Sequence, residues 1–156
     1  MDQYKATIQW QRNDQAFTDN HFSRAHTWHF DEGVEVPGSS SPHMLPVPYS
    51  VAAAVDPEEA FVAALSSCHM LFFLMIAAKR GFCIDSYIDE EVGVLEKNAI
   101  GKLAMTSVTL RPKAIFSGDL VPTDEEVEAM HSKSHEKCFI ASSVTTEVHC
   151  CPVFTA

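Results

Sequence analysis

Between residues 56 and 81 the chain runs DPEEAFVAALSSCHMLFFLMIAAKRG, and this stretch restricts the fold more than any other. Asp56 suits an N-cap, Pro57 loses nothing in a first turn where its missing N–H has no partner, and Glu59 completes a capping-box pattern. Gly81 follows Lys79 and Arg80 as a C′ stop, so the spacing predicts a helix from about 57 to 80. Apolar residues fall on every side of it instead of in one stripe. Such a helix has to be enclosed, by other elements or by a partner chain. In its middle sits a polar patch, Ser66-Ser67-Cys68-His69, and each polar group there costs free energy unless it meets a partner.

The flanking sequence reads as strands and one further helix. Alternation predicts strands over 4–10 and 22–30, then over 86–96 and 102–116, the last with a bulge near Thr106 or Ser107. Asp89 to Glu91 are expected at a solvent edge. Residues 37–55, rich in proline and serine, read as a long loop. Thr123 with Glu126 opens a second, more exposed helix. A short helix is expected from Cys138, and a final strand in TTEVHCCPVF. This order implies an α+β fold with antiparallel sheets wrapped around a central buried helix, as a single domain over 1–156.

The formal net charge of -10 argues against a nucleic-acid partner. MDQYKATIQW lacks the pattern of a secretory signal, and the apolar run 70–78 is shorter than a membrane span. A cytoplasmic protein with no membrane partner is the expectation. Five cysteines in such a chain argue against a disulfide framework and for buried thiols, metal ligands or redox groups.

Three residues carry the chemical argument. Cys68 lies in the polar patch. Cys138 follows a charged run, at the start of a predicted short helix whose amides and nearby cations lower a thiol pKa. Arg24, in FSRAHTW, shares a strand side with Phe22, His26 and Trp28, and its fork suits a thiolate and an attacking peroxide oxygen when a carboxylate fixes it. Histidines and cysteines also offer a metal-binding alternative: His69, His131, His135, His149, Cys150 and Cys151, with His131 and His135 one turn apart. No C-x-x-C pair supports it, and neither metal nor cofactor is expected.

Asp-Pro-Glu-Glu at 56–59, followed by small and apolar residues and Cys68, with a second cysteine near a later helix start, resembles the OsmC/Ohr family of thiol-dependent organic hydroperoxide reductases. The resemblance implies Cys68 as peroxidatic thiol, Cys138 as resolving thiol, Glu58 orienting an arginine, and Arg24 as that arginine, with Arg12 as fallback. It implies an OsmC-like fold in an intertwined homodimer with shared active sites. Helix arithmetic agrees, since Glu58 and Cys68 would stand about 15 Å apart along one helix.

The implied cycle reduces organic or lipid hydroperoxides to alcohols through a Cys68 sulfenic acid and a Cys68–Cys138 disulfide, restored by an external dithiol of the lipoyl kind. An alkyl-binding pocket is expected from Phe61, Phe72, Met44, Leu45 and His69. His69 stands where the family favours a bulky apolar residue, and FIASSV after Cys138 replaces a CP motif, as in a less characterised branch. The alternative is a non-peroxidase member acting as a binding or redox-sensing protein, or a thiol and histidine metal-binding protein.

Overall fold

The computed structural model describes residues 1–154. The chain divides into two compact units, Met1–Ala60 and Phe61–Ala156. In the first, strands β1 (Ala6–Gln9), β2 (His26–Phe30) and β3 (Glu35–Gly38) form an antiparallel sheet in that order. β3 lies at the edge of the stretch expected to be a loop. The turn before it contains Glu32 at φ 57 and Gly33 at φ 81, and Phe30 N–H bonds Val34 C=O across it at 2.8 Å. Strand β2 opens at His26, so Arg24 precedes the strand instead of alternating within it.

Helix α1 (Pro57–Lys79) has the expected ends. Asp56 Oδ1 accepts from Glu59 N–H at 2.8 Å, and Glu59 Oε2 accepts from Asp56 N–H at 3.3 Å. At the other end Gly81 takes φ 84, its N–H bonds Ala78 C=O, and Phe82 N–H bonds Ala77 C=O, which is a Schellman closure.

Within the second unit the buried face of α1 is a stripe of Leu65, Ser66, His69, Phe73 and Ala77. Its C-terminal half packs Phe73 and Ala77 with Phe82, Val127 and Met130. Its N-terminal half packs Leu65 with Val108 and Leu110. By length and composition α1 is long and apolar enough to cross a membrane, with 28% of its most apolar window buried, whereas the count from Met70 to Ala78 covered only part of it.

The remaining strands are β4 (Cys83–Asp89), β5 (Val92–Lys97), β6 (Leu103–Leu110), β7 (Pro112–Ser117) and β8 (Glu147–Cys150). β4 pairs with β7, and β5 with β6, both antiparallel; β8 joins β6 in parallel. Each of the two long predicted strands is therefore two strands in two sheets, broken at Glu90-Glu91 and at Arg111. Thr106 is the bulged residue, since Val94 pairs with Ser107 and Leu95 with Met105. Helix α2 (Asp124–Lys137) opens on the Thr123–Glu126 capping box, and the short helix after Cys138 is a single 3-10 turn, Ala141–Ser143.

Candidate functional site

The polar patch of α1 finds its partners one residue at a time. Ser66 Oγ donates to Asp89 Oδ2 at 2.6 Å, and Asp89 Oδ1 accepts from Arg111 N–H at 2.6 Å. Asp89 is thus half-buried and fully used, not free at a solvent edge as its acidic run implied. The Cys68 thiol lies near enough to Cys138 to raise its pKa, although 70 residues separate the two in sequence. His69 turns inward to a second histidine.

Cys138 is buried at the end of α2, where Ala141 N–H donates to its Sγ at 3.4 Å. Burial pushes this thiol up to about 11, the Cys68 thiol adds to the rise, and the Ala141 amide opposes it. The expectation of a lowered pKa is corrected on this point: one 3-10 turn offers its amide, and desolvation outweighs it. Cys68 is half-buried, and both thiols are reduced in the structure.

The second centre joins three elements. His69 Nε2 on α1 lies 2.9 Å from His131 Nδ1 on α2, and 3.8 Å from Cys150 Sγ at the end of β8. The three donor atoms all fall within 4.8 Å of one another. His69 is 1% exposed and His131 3%. Burial holds both imidazoles neutral, His69 down to about 4 and His131 to about 3, and the two rings stack with centroids 5.2 Å apart.

A neutral pair has one N–H in each ring. Sharing one hydrogen bond leaves His69 Nδ1 and His131 Nε2 buried without partners, as is the hydroxyl of the neighbouring Tyr87. Burial, then the Asp89 carboxylate and Cys151, push the Cys150 thiol up to about 12. Beside His131 and Cys150 opens a cavity of about 520 Å³, walled also by Glu128, Ser132, His135 and Val148.

In the first unit Arg24 and Glu58 border one cavity of about 560 Å³, together with Trp10, Phe17, Phe22 and His26. The Arg24 guanidinium lies 3.7 Å over the Phe22 ring and donates to the carbonyl oxygens of Phe22 and Asn20 and, at 2.5 Å, to Asn20 Oδ1. The fork is held by amide oxygens, with the Glu58 carboxylate sharing its cavity. Arg12 bonds Gln15 C=O at 2.8 Å.

A family model described as OsmC-like protein matches residues 50–150. The chain belongs to the OsmC-like family. A solved OsmC-like protein of unknown function from Vibrio cholerae is 56% identical, with TM-score 0.97 over 98% of this chain and 100% of that one. An organic hydroperoxide resistance protein from Elizabethkingia anophelis shares the fold at 14% identity and TM-score 0.74, covering 99% and 98% of the two chains. One from Bacillus subtilis does so at 20% and 0.66, covering 97% and 98%. No curated protein matches the chain. Residues 50–150 of this OsmC-like protein hold Glu58, Cys68, Cys138 and the His69, His131 and Cys150 centre, but neither Arg24 nor Arg12.

Of the residues expected to line an alkyl pocket, Met44 and Leu45 belong to the first unit and Phe61, His69 and Phe72 to the second. Phe61 packs against the Leu65 core, Phe72 sits edge-on to Phe139 at 5.2 Å, and His69 belongs to the buried centre. Met44 is exposed and Leu45 half-buried, both in the first unit. The cavity bordered by Arg24 is walled by Trp10, Phe17 and Phe22, of which Trp10 and Phe22 fall in stretches read as strands and Phe17 between them. Of the metal alternative's residues, His135 is exposed, His149 pairs with Glu147 at 3.6 Å, and Cys151 is exposed beside Cys150. The three that meet lie far apart in sequence, so ligand spacing could not find them.

Proposed function

We propose that this OsmC-like protein is a thiol- and histidine-based binding or redox-sensing protein centred on His69, His131 and Cys150. The observation that carries it is the convergence of two buried imidazoles and a half-buried thiol, with their donor atoms within 4.8 Å of one another. Nitrogen and sulfur donors that converge in a buried site are the groups that hold borderline-to-soft occupants. On this reading the protein is a single OsmC-like domain over 1–156, in the cytoplasm, as an intertwined homodimer.

A second reading is favoured by the nearness of Cys68 to the buried Cys138. There the protein is an organic hydroperoxide reductase. The Cys68 thiolate attacks the distal peroxide oxygen, the O–O bond breaks, an alcohol leaves and Cys68 becomes a sulfenic acid. The Cys138 thiol then condenses with it, releasing water and forming the disulfide, which an external dithiol, lipoyl or similar, reduces. Arg24, with Glu58 bordering the same cavity, stabilises the developing charge. The substrate is an organic or lipid hydroperoxide, and the active sites are shared across the dimer.

One experiment separates the readings. Purified protein receives one equivalent of an alkyl hydroperoxide, and cysteine-containing peptides are weighed. The binding reading expects Cys68 and Cys138 to remain thiols, with no sustained dithiol-dependent peroxide consumption. Rapid formation of a Cys68–Cys138 disulfide, abolished in Cys68→Ser, transfers the function to the second reading.

A further inference from the structure

The geometry points to a zinc-class divalent ion as the occupant of the centre, held by His69 Nε2, His131 Nδ1 and Cys150 Sγ, with a fourth coordination position opening on the Glu128–His135 cavity. This rests on the binding reading and names its ligand. Zinc–nitrogen bonds of about 2.0–2.1 Å and zinc–sulfur bonds of about 2.3 Å in a tetrahedron set nitrogen–nitrogen near 3.3 Å and nitrogen–sulfur near 3.6 Å. The observed His69–His131 and His69–Cys150 separations are 2.9 Å and 3.8 Å, and His131 and Cys150 lie within 4.8 Å of each other, so an adjustment of about an ångström closes the site.

The donor chemistry narrows the ion. Two imidazoles and a thiolate are borderline-to-soft ligands, which suit zinc and its neighbours and exclude calcium and magnesium, whose sites are built from oxygen. Without an ion, His69 Nε2 and His131 Nδ1 share one N–H across 2.9 Å. Coordination uses both inward lone pairs, and only that shared proton moves, to the outer nitrogen of its own ring. The Cys150 thiol enters as thiolate, its proton leaving to solvent through the cavity.

The remaining features match a site that exchanges with solvent. His131 and Cys150 both border the cavity, which supplies the entry path. Ser66 and Arg111 hold Asp89 in place close enough for its charge to act on both His69 and Cys150, and it offsets the charge of the ion. With three protein ligands the fourth position takes water or a small soft donor from the cavity, as open zinc sites do.

The test uses the full chain, stripped with a chelator and titrated with cobalt(II) alone. One ion per chain is expected, with visible d–d bands of a four-coordinate ion and an ultraviolet thiolate-to-cobalt band. That band should vanish in Cys150→Ser and persist in Cys151→Ser and Cys68→Ser, and His131→Gln should weaken uptake at least ~100-fold. Adding 2-mercaptoethanol should shift the d–d bands, whereas ethylene glycol should leave them in place. The wild-type spectrum is itself decisive should a variant misfold: uptake with no thiolate band, or no uptake, overturns the assignment. A missing band together with thiols at Cys68 and Cys138 that resist peroxide rejects the ion and leaves the binding reading standing. A Cys68–Cys138 disulfide beside an intact cobalt band rejects that reading and keeps the ion.

Discussion

His69 shows how one residue's role depends on what folding brings to it. In the sequence it is a polar interruption of an apolar helix, and the need for a partner is legible from that alone. Which partner is not legible, because His131 lies 62 residues away and Cys150 lies 81 away. The same holds for Cys68 and Cys138, whose pairing is implied by the family resemblance and whose nearness only the fold supplies. Neutral burial of the two imidazoles has a measurable consequence in metal-free protein. Their folded pKa values, about 4 and about 3, lie below the unfolded value of 6.5. The unfolded state therefore takes up protons first, and this contribution to stability is present above pH 6.5 and lost as pH falls toward 4 and below. Stability in urea should fall between pH 7 and pH 4.5 by a loss on the order of 5 kcal/mol for the pair, and the loss should shrink in a His69→Phe, His131→Leu double variant. Equal pH slopes in the two proteins would contradict neutral burial.

At the scale of elements, the ends of α1 and α2 were readable because capping is local chemistry: Asp56 with Glu59, Thr123 with Glu126, and Gly81 each act within four residues. The corners of the sheets were not. The sequence stays strand-like from 83 to 97 and from 103 to 117, so alternation alone reads one strand where the chain passes from one sheet to another. Asp89 ties both corners to α1 through Arg111 N–H and Ser66 Oγ. Replacing Asp89 by Ala strands both donors and should cost about 1–3 kcal/mol per unsatisfied group, measured by urea denaturation. A loss below 0.5 kcal/mol, within the range of an ordinary surface change, would remove Asp89 from that role. Gly93 tests the packing of β5 on α1 independently. A Cβ there would stand 2.5 Å from Val62 Cγ2 and 2.6 Å from Met105 Cε. Met105 can swing aside, but Val62 is stiff and on the helix, so Gly93→Ala should destabilise by about 1–3 kcal/mol. An unchanged melting temperature would show that β5 yields freely.

For the molecule as a whole, the apolar character of α1 exceeds what its own chain covers. The buried stripe runs at Leu65, His69, Phe73 and Ala77, while on other faces Leu71 is 60% exposed and Met75 39%. Phe139, just past Cys138, is 72% exposed. Sequence reasoning anticipated that such a helix needs a partner, because the absence of any polar face is visible without knowing the fold. Scattered apolar residues on a surface need no explanation, but a long helix with no polar side does. A second copy of this chain is the occupant that the proposed homodimer supplies. Sedimentation velocity at micromolar concentration should then give twice the chain mass. Leu71→Glu places a charge on the exposed apolar face and should shift the protein toward monomer, with its helix content in circular dichroism unchanged. A wild-type monomer at high micromolar concentration, or a dimer indifferent to that charge, would mean that α1 is covered by something other than its own copy.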